Sequence, residues 1–199
     1  MRCARLPKAA AYDIRSWQNP VMSAPLPAPP EELRLPSRKN RLRAALPSRS
    51  EVLLGAPAWG LLMMLSALAA LYIRHRLETF HLAAMLLLYF SGGFFAWPFC
   101  LILGRLLAQK HRIEGRVAAF FLSLSAGTIL MTAFLFAMQY RLFYAQWHAP
   151  PGSFIWAFQF VYTSASAIYQ FSIMGLTLFL PLGLLFLIAA SLALARRMR

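Results

Sequence analysis

The sequence predicts an all-α integral membrane protein. It should have four transmembrane helices, both termini cytoplasmic, and an additional outer interfacial or re-entrant helix before the last span. Three observations lead there. Charged side chains are absent from long apolar runs at 52–73, 79–104, 117–140 and 142–195 and gather between them. These runs are 22, 26, 24 and 54 residues long, and roughly 20 helical residues cross a bilayer core. The Lys and Arg counts alternate along the chain: ten in 1–51, then two, four and one in successive loops, and three in the tail. Four crossings with both ends inside put 17 of the 20 basic residues in the cytoplasm, as the positive-inside bias requires.

Helices are the spanning element because lipid forces backbone polar groups to pair within the chain. A β-barrel would alternate polar and apolar residues between turns. These runs are continuous, as in Met85-Leu86-Leu87-Leu88. The chain is 60% hydrophobic and 13% charged. Its net charge of +14 is explained by topology, so no nucleic-acid partner is expected.

Residues 1–51 read as a disordered, basic, Pro-rich cytoplasmic arm, and 52–199 as the four-helix membrane domain. Prolines recur at 7, 20, 25, 27, 29, 30, 36 and 47 and disfavour a regular helix. Met22-Ser23-Ala24-Pro25 reads as an alternative start, so the first 21 residues carry little weight. Ala9-Ala10-Ala11 is too short for a signal peptide core. Arg38, Lys39, Arg41 and Arg43 lie just before the first span, where they can contact anionic lipid headgroups.

The first span, about 52–73, carries small residues at both ends (Gly55, Ala56, Gly60; Ser66, Ala67, Ala70), which allow close helix packing. A short outer loop joins it to the second span, about 80–104. Gly92, Gly93 and Pro98 predict a bend there, a candidate helix-break cavity together with Pro181. The inner loop supplies Arg105, Lys110, Arg112 and Arg116 as further candidate contacts for anionic lipid. In the third span, about 117–140, Ser125, Thr128 and Thr132 form a weakly polar stripe expected to face other helices. Phe120, Leu124, Phe134 and Leu135 are read as bulk on the opposite surface.

The fourth run is too long for one span. Two full crossings would carry Arg196, Arg197 and Arg199 outside, against the charge bias. It is therefore divided into an outer loop ending at Pro150-Pro151-Gly152, an interfacial or re-entrant helix over 153–171, and a last span from near Ser172. Gln159, Thr163, Ser166 and Gln170 make one polar face on that helix. Two placements are open for this face: towards water, or towards the bundle interior.

Catalytic signals are lacking. No Asp or Glu falls within an expected span, where proton pathways place them. No phosphate loop or dinucleotide fingerprint occurs, Cys3 and Cys100 form no redox pair, and the four histidines have no zinc spacing. No catalytic residue, metal or cofactor is expected. The expected function is a non-enzymatic accessory or scaffold subunit of a membrane assembly. A small oligomeric transporter or channel for a neutral or apolar solute is the alternative, and a lipid-modifying enzyme the third choice. Expected partners are membrane lipids and another membrane protein or a second copy of the chain. The expected location is a multi-pass position in a membrane, the bacterial inner (cell) membrane.

Overall fold

The structure, a computed structural model, describes residues 45–78, 81–109 and 111–198. Arg38, Lys39, Arg41, Arg43 and Lys110 lie outside these, as does nearly all of the expected arm. The described residues are helical, with no strand among them. Three helices are long and apolar enough to cross a membrane, and a bent pair near the C-terminus makes a fourth if counted as one span.

Helix α1 (Arg49–Ile73) starts earlier than the apolar run because Ser48 caps it. The Ser48 hydroxyl accepts the Glu51 N–H at 3.3 Å, and the Glu51 carboxylate accepts the Ser48 N–H at 2.8 Å. This reciprocal capping box closes the first turn. Helix α2 (Leu82–Ala108) runs as one helix across Pro98. Helix α3 (Ile113–Tyr144) extends beyond its charge-free run at both ends. Arg105 pairs with Glu51 and donates to the Leu46 carbonyl. Arg116 donates to the Met198 carbonyl at 2.8 Å. One end of the bundle therefore gathers the start of α1, the end of α2, the start of α3 and the C-terminal residues.

Close approach sets the packing. A Cβ on Gly93 would stand 3.1 Å from both Gly60 Cα and Trp59 O, so α1 and α2 meet glycine to glycine. A Cβ on neighbouring Gly92 would overlap the Thr132 side chain on α3. Gly92 and Gly93 thus face two different helices, and α2 packs between α1 and α3. Thr128 and Thr132 are buried, as expected of a stripe that faces other helices. Phe120 and Leu124, read as bulk on the opposite surface, are buried too. Steps of four from 120 to 132 keep these residues close to one helical face.

The fourth run divides differently from the expectation. Helix α4 (Phe154–Gln170), capped by Ser153, continues through a widened π turn (Phe171–Gly175) and a tight 3₁₀ turn (Leu176–Phe179). Ser172, expected to begin the last span, lies inside this continuous stretch, its hydroxyl bonded to the Ile168 carbonyl at 2.8 Å. The break comes at Leu180-Pro181, where the chain turns by 72° into α5 (Leu182–Arg197). Leu180 is extended, as a residue before proline must be, and Pro181 lacks the N–H that would continue the helix.

Gly92→Val should overpack the α2–α3 crossing and cost about 1–3 kcal/mol, read as a lower thermal midpoint in detergent. Combined with Thr132→Ala, the loss should be smaller than the sum of the two single changes, because the two sites share one contact.

Candidate functional site

A break inside an apolar segment exposes backbone groups that lipid cannot bond. Ser66 of α1 meets this need. Its hydroxyl accepts the Gly183 N–H at 2.8 Å and donates to the Phe179 carbonyl at 3.1 Å, with the Leu178 carbonyl 3.3 Å away. Ser66 is fully buried. Leu178 packs nearby with Ala67, Ala70 and Leu71. Two further side chains fix the segment ahead of the break. Tyr89 of α2 donates to the Gly175 carbonyl at 2.6 Å and meets the Phe179 ring edge-on at 4.9 Å. Arg74, just past α1, donates to the Thr177 hydroxyl at 2.8 Å and reaches its carbonyl at 3.4 Å. The 171–179 segment is thus a strap, tied to α1 and α2 from the end of the bundle opposite Glu51.

The strap closes a cavity of about 720 Å³. Leu71, Met85, Leu88, Tyr89, Phe136, Phe171, Met174 and Leu178 supply its walls. Arg74, Arg76, Gln170 and Thr177 supply its polar contacts. Tyr89 is the seventh residue beyond Leu82, about 10 Å along the helix axis. On the other side of the strap lies a second cavity of about 300 Å³, lined by Trp59, Met63, Leu124, Thr128, Phe179 and Leu187. There the Trp59 indole N–H donates to the Thr128 hydroxyl at 2.9 Å. The arrangement can hold apolar matter beside a cationic rim. Among the described residues no group of three or more His, Cys, Asp or Glu gathers as a metal site would require.

The sequence-predicted residues are dispersed around this region. Gly92 and Gly93 serve helix crossings, while Pro98 lies within α2 and Pro181 at the start of α5. None of the four lines either cavity beside the strap. On α4, Gln159, Thr163 and Ser166 are half-buried, whereas Phe154, Tyr162 and Val161 are exposed, Phe154 by 79%. The Gln159 amide oxygen accepts the Ala149 N–H at 2.8 Å, and the Thr163 hydroxyl donates to the Gln159 carbonyl at 2.7 Å. The same face carries Phe160, under the Arg141 guanidinium at 3.8 Å, and buried Ala167. Beyond it Phe171 meets Phe136 of α3. The polar stripe therefore turns toward α3, and the apolar face turns outward. Gln170 alone of the stripe lines the larger cavity. Of the predicted anionic-lipid contacts, Arg105 and Arg116 are engaged with protein groups, and Arg112 is exposed at the start of α3.

Of the residues that shape the site, Ser66 was legible only as a small packing residue, and Arg74, Tyr89 and Thr177 carried no local signal, since the partners are 86 to 117 residues away in the chain. Ser48 did carry one, the S-x-x-E spacing to Glu51. No protein-family model, curated protein or solved structure matches the chain.

Ser66→Ala should leave the buried Gly183 N–H without its acceptor and cost about 1–3 kcal/mol. Hydrogen exchange in detergent micelles should show faster exchange at Gly183 and in the 176–183 segment than at the α1–α2 crossing.

Proposed function

We propose that this chain is a non-enzymatic, multi-pass membrane protein acting as an accessory or scaffold component of a larger membrane assembly. In this reading it crosses the membrane four times, with α5 completing the last crossing and α4 lying re-entrant or interfacial on the outer side. Both termini are cytoplasmic, and the membrane is a bacterial inner (cell) membrane. The charge alternation supports the orientation, because the Glu51 end also carries Arg105 near the end of α2, Arg112 and Arg116 at the start of α3, and Arg196 and Arg197 at the end of α5.

The observation that carries the accessory reading is the outward face of α4. Phe154, Ile155, Phe158, Val161 and Tyr162 stand exposed on a helix whose polar side chains face α3. Leu142, Phe143 and Trp147, at the end of α3 and just beyond, are exposed as well. With its polar side chains turned to α3 rather than to water, α4 fits the re-entrant placement better than the interfacial one. It offers rigid aromatic contact area within the membrane, the kind of surface on which another membrane protein or a second copy packs.

A second reading is favoured by a different observation, the pair of cavities on opposite sides of the 171–179 strap. They suit a small oligomeric transporter for a neutral or apolar solute, with the strap as the barrier between them.

Gentle crosslinking of tagged protein in mild detergent, followed by mass spectrometry, should recover a stoichiometric membrane-protein companion or a defined homo-oligomer. A lone monomer with intrinsic turnover would overturn the accessory reading, and saturable solute flux in vesicles would establish the second. In a variant with Cys3 and Cys100 replaced, a cysteine at position 76 should react with an impermeant thiol reagent in intact cells. One at position 198 should react only after the membrane is opened.

A further inference from the structure

We propose that the cavity beside the 171–179 strap binds one anionic phospholipid drawn from the leaflet on the Arg74 side. An acyl chain lies against Leu88, Tyr89, Phe171 and Leu178, and the phosphate lies at Arg74 and Arg76. This goes beyond an accessory role, and it holds whether or not a companion protein is recovered.

The volume, about 720 Å³, falls within the range of a site for a small organic ligand, roughly 300–1,000 Å³. Its depth also fits. The cavity reaches Tyr89, about 10 Å along α2 from Leu82, which is the depth of acyl chains rather than of headgroups in one leaflet of a hydrocarbon core about 30 Å thick. A soluble anion would find charge at the rim and no polar partner along most of the wall. An uncharged lipid would fill the wall and bring no counter-charge to the Arg74 guanidinium, whose acceptors are both neutral oxygens.

The charge at the rim is what selects the headgroup. Among the described residues the Arg74 guanidinium bonds only to Thr177, through two of its N–H groups, and both acceptors are neutral oxygens. A guanidinium has five N–H donors, so three remain for a phosphate, which such a fork recognises well. Arg76 adds a second cation at the same rim. The floor is held in shape independently of any occupant. Tyr89 is 2% exposed and its hydroxyl is spent on the Gly175 carbonyl. That carbonyl belongs to the π turn, a distortion that recurs at functional sites.

The full chain would be reconstituted in nanodiscs of phosphatidylcholine with one quarter phosphatidylglycerol, and its retained lipid read by native mass spectrometry after detergent extraction. One phosphatidylglycerol per chain should be retained in preference to phosphatidylcholine. Arg74→Gln and Arg76→Gln should each weaken that preference about tenfold, the scale of one charge-assisted hydrogen bond. Met174→Trp, placed on a cavity-lining residue that is 64% exposed, should expel the lipid while leaving the protein monodisperse. Inorganic phosphate at millimolar concentration should fail to displace the lipid; displacement by phosphate alone would identify a free-anion site instead. Equal retention of both lipids, retention unaffected by Met174→Trp, or no retained lipid would each overturn the proposal.

Discussion

A helix that stops within an apolar medium needs partners for its last carbonyls and for the first amides of the helix that follows. Water supplies them in a soluble protein, and a bilayer core does not. Here one serine hydroxyl of α1 answers both sides of the break at Leu180-Pro181, accepting from Gly183 and donating to Phe179. Much of the architecture at that end of the bundle depends on this clip. It sets the height at which α5 begins and the angle at which the preceding segment leaves it. It also brings Phe179 against Tyr89, so that the strap lies over the space between α1 and α2. The larger cavity exists because the strap is held there.

The two ends of the bundle are built on different principles. At the Glu51 end, a capping box, an ion pair and the Arg116–Met198 bond tie four chain segments together. At the Arg74 end, an arginine and a tyrosine hold a segment with irregular helical geometry through oxygen acceptors on Thr177 and Gly175. Hydroxyls deeper in the bundle mostly bond within their own helix. Ser123, Thr132 and Ser191 each reach the carbonyl four residues back, which satisfies them without asking anything of a neighbouring helix. The exceptions, Ser66 and the Thr128 hydroxyl that receives Trp59, both sit beside the strap and the cavities flanking it.

What the sequence made legible follows from what charge can mark. Charged residues delimit apolar runs, and the first three runs correspond to α1, α2 and α3. They do not delimit helices, so α3 continues to Tyr144 past Arg141, and α1 starts at the Ser48 cap. Within 142–195 no charge marks anything, and a last span beginning near Ser172 is defeated because Ser172 bonds back to Ile168 inside a continuous helical stretch. Pro181 was the stronger signal, because a missing N–H interrupts a helix and a hydroxyl does not. The small residues of α1 and α2 announced close packing without naming partners: Gly60 with Gly93, and Gly92 with Thr132, are pairings between distant parts of the chain. The cavity was illegible for the same reason. Its rim arginine counts in the sequence only as one of two basic residues in the first loop, and its floor tyrosine meets its partner 86 residues away.

Helix α5 has 16 residues, about 24 Å of helix, against a hydrocarbon core about 30 Å thick. On its own it is too short to be read as a spanning segment, and its first turn is completed by a serine from a helix made more than a hundred residues earlier. The polar face of α4 likewise has somewhere to go only once α3 is present. The order of synthesis is therefore also an order of dependence. The first three helices provide the partners that the break at Leu180-Pro181 and the polar face of α4 require, so this later segment depends on helices made before it.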